Sequence, residues 1–146
     1  MNGILSLFKK KPGNSESARM LEELSAICDK WLKDSKALVE NKDMSLSPAV
    51  QEEVSALVQI TGRLEELLPA DEQISAILER LKMALGEGSA EIMFIQNEID
   101  MEGAMKRLPL WPLKARERID LLRDLVSKGC WYPGFLAIAF LLMKKG

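Results

Sequence analysis

The chain contains no histidine. That absence removes serine–histidine triads, cysteine–histidine dyads, HExxH zinc sites and any imidazole-based pH switch. Cysteine is nearly as scarce. Cys28 and Cys130 are the two thiols, they lie far apart, and neither belongs to a CxxC pair. Both are expected to be reduced, small core residues. Charge of one sign is also lacking: 20 basic and 22 acidic residues leave a formal net charge of −2. Net charge therefore gives no electrostatic drive toward nucleic acid or anionic membranes. No internal repeat, low-complexity tract or alternating strand pattern occurs.

What is present is apolar periodicity at helical spacing in a chain of 146 residues with 47% hydrophobic and 29% charged side chains, an ordinary globular composition for one domain. The first expected helix runs from about Ser17 to Asn41, with Leu21, Leu24, Cys28, Trp31, Ser35 and Leu38 as a heptad-like stripe. Ser15 or Ser17 is its expected cap. Ser47-Pro48 is a start signal for a second helix, whose stripe is Val50, Val54, Leu57, Thr61, Leu64 and Leu68. The two read as an antiparallel, coiled-coil-like hairpin. Pro69 closes the second helix. Asp71 is placed to cap a third, striped by Ile74, Ile77, Leu78, Leu81 and Leu85 and expected to stop at Gly86 and Gly88.

A fourth helix is predicted from Ser89 to about Leu108, with Ile92, Ile95 and Ile99 on one side and Phe94, Met101, Met105 and Leu108 on another. Gly103 interrupts it and can permit a close helix crossing. Leu108-Pro-Leu-Trp-Pro112 reads as a stiff apolar connector. Pro112 opens a fifth helix that buries Ile119, Leu122, Leu125 and Val126 and ends at Gly129. The stretch Phe135 to Met143 has no polar side chain. As a helix it spans roughly 14 Å, well short of a bilayer core of about 30 Å. It is a core helix, a docking helix or a membrane-inserted tail. The expected fold is thus all-α: a compact bundle of about five main helices plus a short apolar C-terminal helix. Residues 1–16 form a flexible apolar and basic segment with its linker, and residues 17–146 form the helical domain.

Two charged clusters are candidate sites. Glu91, Glu98, Asp100 and Glu102 make the fourth helix acidic, with Glu98 and Glu102 on one face, but a carboxylate metal site of the bundle kind needs histidine partners. Lys106, Arg107, Lys114, Arg116, Arg118, Arg123 and Lys128 are interleaved with Glu117, Asp120 and Asp124, which favours pairing within the chain over phosphate binding. Gly86-Glu-Gly88 precedes no Walker lysine and follows no strand, and reads as a helix–helix turn. Nothing in the sequence calls for catalytic residues, a cofactor or a metal.

The function expected is a non-enzymatic interaction module, an adaptor, regulator or complex subunit that binds another protein. Its expected contacts are Phe94, Met101, Met105, Trp111, Trp131, Tyr132 and Phe135, because aromatic and methionine side chains dominate interface cores. The alternative is a membrane-peripheral protein that inserts Ile4, Leu5, Leu7 and Phe8 beside Lys9, Lys10 and Lys11. Residue 2 is Asn, so the myristoylation pattern is absent. The apolar residues precede the lysines, the reverse of a secretory signal, so a cytoplasmic location is expected, at a membrane surface in the alternative reading. The sequence leaves a homo-oligomer open.

Overall fold

The computed structural model describes residues 12–128, with side chains for 16–126. Among these residues the chain is helical without strands, and it is built on four long helices rather than the five expected. α1 spans Pro12–Asn41, α2 Ser47–Leu67, α3 Glu72–Gln96, the short α4 Met101–Arg107, and α5 Leu110–Lys128. A single 3-10 turn, Met44–Leu46, joins α1 to α2. The expected C-terminal helix and the N-terminal basic segment lie outside the described residues.

The stripes read from the sequence are the core. Leu21, Leu24, Cys28, Trp31, Ser35 and Leu38 of α1 are all buried, as are Val50, Val54, Leu57, Thr61, Leu64 and Leu68 on and just after α2. Ile74, Ile77, Leu78, Leu81 and Leu85 of α3 and Ile119, Leu122 and Leu125 of α5 complete it. α1 packs on α2 and α5, and α3 packs on the same two helices. The α1–α2 and α2–α3 connections are short and α4 bridges α3 to α5, so the four long helices close into an up-down-up-down ring. Pairings between the first and last helices fix their antiparallel sense: Arg123 meets Glu22, and Arg116 meets Asp29.

Several boundaries differ from expectation. α5 starts at Leu110, ahead of the expected Pro112 and inside the stretch read as a connector. Pro12 already lies in α1, ahead of the expected Ser17 start; proline is tolerated in a first turn because the N–H it lacks has no partner there. Ser47 does not cap α2 with its side chain. Its hydroxyl instead accepts from Gln96 Nε2 at 3.2 Å and ties the start of α2 to the end of α3. The expected stop at Gly86 and Gly88, with a restart at Ser89, does not occur, since α3 runs straight through all three.

Gly88 has a packing role. A Cβ there would collide with Cζ2 of Trp31 and lie 2.7 Å from its Cη2. Glycine in a helix interior costs roughly 1 kcal/mol relative to alanine. Here it lets the Trp31 ring of α1 reach across the ring of helices to α3.

The real stop comes at Asn97–Asp100. Glu98 adopts φ 57°, the Ile99 N–H donates to Phe94 O at 2.8 Å, and the Glu98 N–H to Ile95 O at 3.3 Å. This is the double bond pattern of a Schellman cap. The helix foreseen from Ser89 to Leu108 is therefore two pieces, and Glu98 and Glu102 do not share a helix face.

Asp71 caps α3 as its position implied, accepting from the N–H groups of Gln73 at 2.9 Å and Ile74 at 3.2 Å. Asp71→Ala should cost about 1 kcal/mol, read as a lower urea midpoint with unchanged slope. Cys28 is buried, and its Sγ donates to Pro112 O at 3.4 Å. Burial, reinforced by the neighbouring Asp29 charge, pushes the thiol up to about 12. The reactive thiolate is thus suppressed. Iodoacetamide at pH 8 should leave the Cys28 peptide unmodified in native protein and alkylate it in urea, as mass spectrometry of the digest would show. Cys130 lies outside the described residues.

Candidate functional site

The side of the bundle where α3 faces α5 concentrates the unusual chemistry. At its centre is Glu91, a carboxylate buried on α3. Arg107 of α4 grips it with two bonds, Nε to Oε2 at 2.6 Å and Nη2 to Oε1 at 3.0 Å. The Trp111 indole N–H donates to Oε2 at 3.2 Å. Arg107 also reaches Asp100 Oδ2 at 3.4 Å, and its guanidinium is held above its ordinary range, chiefly by the bond to Glu91. A carboxylate taken out of water needs such donors. The result pins Trp111 at the start of α5. Gly103 makes room for the cluster, since a Cβ there would meet the Asp100 carboxylate and lie 2.9 Å from Arg107 Nη1.

One turn away, Trp111 borders a pocket of about 230 Å³ between the helices, lined by Arg80, Met83, Ala84, Trp111, Lys114 and Arg118. Three of the six lining residues are cations and none is acidic. Lys114 Nζ stands 5.7 Å from the centroid of the Trp111 ring, a cation–π distance. Arg118 is 6% exposed. Its Nη1 donates to Lys114 O at 3.1 Å and to Glu117 Oε2 at 3.3 Å, while its Nε has no acceptor.

Other basic side chains of the cluster read from the sequence pair within the chain, mostly with acids on other helices: Lys106 with Glu102, Arg107 with Glu91, Arg116 with Asp29, and Arg123 with Glu22. Lys114 has no ion pair among the described residues, and the Lys128 side chain lies outside them. Arg80, which the sequence did not single out, also has no ion pair among the described residues; a lone arginine on the polar side of a long helix carries no signal of its own.

Among the expected contact residues, Phe94 is exposed at 38%. Met101, Met105 and Trp111 are half-buried against the core, so they offer edges rather than whole side chains. Trp131, Tyr132 and Phe135 fall outside the described residues, as do Ile4, Leu5, Leu7, Phe8 and Lys9 to Lys11. The large apolar side chains left most exposed among the described residues are Val58, Met83, Met93, Phe94, Ile99, Leu110 and Leu113. Six of these seven lie between residues 83 and 113, on the second half of α3, its stop and the first turn of α5.

A second, shallower groove of about 570 Å³ runs between α1 and α2, lined by residues including Ile27, Lys30, Glu52 and Glu53. Glu53 is its buried wall, and Lys30 Nζ lies 3.7 Å from Glu53 Oε2. Among the described residues no group of three or more cysteine, aspartate and glutamate side chains is placed to hold a metal ion. No helix there is long and apolar enough to cross a membrane. No family model, curated protein or solved structure matches the chain.

Proposed function

We propose that this chain is a non-enzymatic helical interaction module, an adaptor, regulator or complex subunit, and that it meets a partner protein through the α3–α5 side. The observation that carries this reading is the gathering of exposed apolar side chains between residues 83 and 113. Single exposed hydrophobics are ordinary on a protein surface, whereas six concentrated on two helices that pack together, and on the stop between them, favour an interaction surface. Met83, Met93 and Phe94 are of the kinds enriched at interface cores, and Leu110 and Leu113 add apolar area.

Photo-crosslinking in the native cell tests it. A benzophenone side chain at position 93, 110 or 113 should trap one discrete protein species, and the same group at position 58 should not. The double change Met83→Ser with Leu113→Ser should abolish the adduct. Adducts of equal yield from position 58 would sink the reading.

A further inference from the structure

We infer that the pocket between α3 and α5 is an oxyanion site that takes a carboxylate presented beside an apolar side chain on a protein partner. The choice of a protein as the source of the anion rests on the interaction-module reading. The pocket's preference for an oxyanion rests on its own residues.

Charge comes first. In a chain of net charge −2, Arg80, Lys114 and Arg118 converge on one cavity with no acidic residue in its lining. Among the described residues neither Arg80 nor Lys114 has an ion pair, and Glu117, outside the lining, is the single carboxylate reaching Arg118. Uncompensated cations around a concavity focus a positive field into it. Arg118 strengthens the case, because a guanidinium more than nine-tenths buried keeps an N–H without an acceptor. Buried polar groups are otherwise nearly always satisfied.

Shape and lining come next. A volume of about 230 Å³ is below the 300–1,000 Å³ usual for a drug-sized ligand, and suits one side chain. Met83 and the Trp111 ring supply an apolar wall, and Leu110 and Leu113 continue that character along the exposed side of α5. The Glu91–Arg107 bonds hold Trp111 in place beforehand, so little ordering is required on binding. An acidic side chain followed by a leucine-like one matches this sequence of surfaces.

The probe is a capped leucine–glutamate–leucine tripeptide, titrated at fixed ionic strength into the 15N-labelled full chain. Controls are the glutamine counterpart and inorganic phosphate. The glutamate tripeptide should shift the Trp111 indole and Arg118 Nε–H resonances saturably and bind about tenfold tighter than the glutamine one, the effect of a charge-assisted hydrogen bond. Arg80→Gln and Lys114→Gln should each weaken it by a similar factor. Arg80→Gln breaks no ion pair among the described residues and should melt like the parent, while Lys114→Gln should melt slightly lower through its lost cation–π contact with Trp111.

Equal shifts from the glutamate and glutamine tripeptides, or none from the former, overturn the oxyanion site and leave the crosslinking result untouched. Phosphate binding as tightly as the tripeptide overturns a protein as the source of the anion. Loss of the adduct at positions 93, 110 and 113 with tripeptide binding intact overturns the interaction module alone.

Discussion

Trp31→Ala should destabilise the protein by about 3–5 kcal/mol, a large share of the 5–15 kcal/mol that holds a domain together. The ring is fully buried, and it reaches α3 across the bundle at Gly88. Trp31→Phe should cost far less, under about 1.5 kcal/mol. The indole N–H has no acceptor, so its removal relieves a desolvated donor while most of the ring remains. Gly88→Val should cost about 1–3 kcal/mol by overpacking against the same ring. Combined with Trp31→Phe, the pair should be less damaging than the sum of its parts, because the two positions share one space. Urea unfolding of the three single variants and the Gly88→Val with Trp31→Phe pair measures all of this. Equal losses for phenylalanine and alanine at position 31 would show that the indole N–H is satisfied after all.

Stability should fall as pH rises from about 4.5 toward about 8, and Glu53 should be responsible for much of the fall. Burial beside the groove, with the Asp34 carboxylate next to it, pushes Glu53 up from 4.5 to about 8. Neither of its carboxylate oxygens finds a hydrogen-bond donor, whereas a protonated Glu53 can itself donate to Asp34. Between those two pH values the folded state holds a proton that the unfolded chain has released. The unfolding free energy therefore declines with pH across that window and levels above it. Glu53→Gln keeps the shape and removes the titration. It should match the parent near pH 4.5 and exceed it by about 2 kcal/mol at pH 8.5, a figure discounted for the water that lines the groove. Parallel stability–pH curves for parent and variant would exclude Glu53 as the source.

The helix faces were readable because each buried stripe repeats at intervals of three and four, and no competing strand period interferes. Asp71 was readable for a similar reason: a short acceptor precedes a periodic run. The stops were not. Glycine is the ordinary sign of a left-handed residue, yet the described residues with positive φ outside glycine are Lys42, Glu98 and Asp100. The bonds made at two of them, Asp43 N–H to Leu38 O after Lys42 and Ile99 N–H to Phe94 O after Glu98, offset part of a strain of about 1–2 kcal/mol per residue. Gly88, meanwhile, answers to a tryptophan more than fifty positions earlier, which no local pattern contains. The site was half readable for the same reason. Trp111 and Lys114 stood out by type and cluster, while Arg80 gains meaning only when α3 lies against α5.

The antiparallel pairing of α1 with α5 sets the molecule's polarity. Glu22 opposite Arg123 and Asp29 opposite Arg116 bring the first turn of α1 and the last turn of α5 to one pole. The α3 stop and the first turn of α5, with Phe94, Ile99 and Leu110, form the other. A tether or fusion joined at either end of the described bundle leaves from the pole remote from those side chains. Held to a surface, a scaffold or a sensor chip through either end, the bundle would hold Phe94, Ile99 and Leu110 outward like the head of a pin.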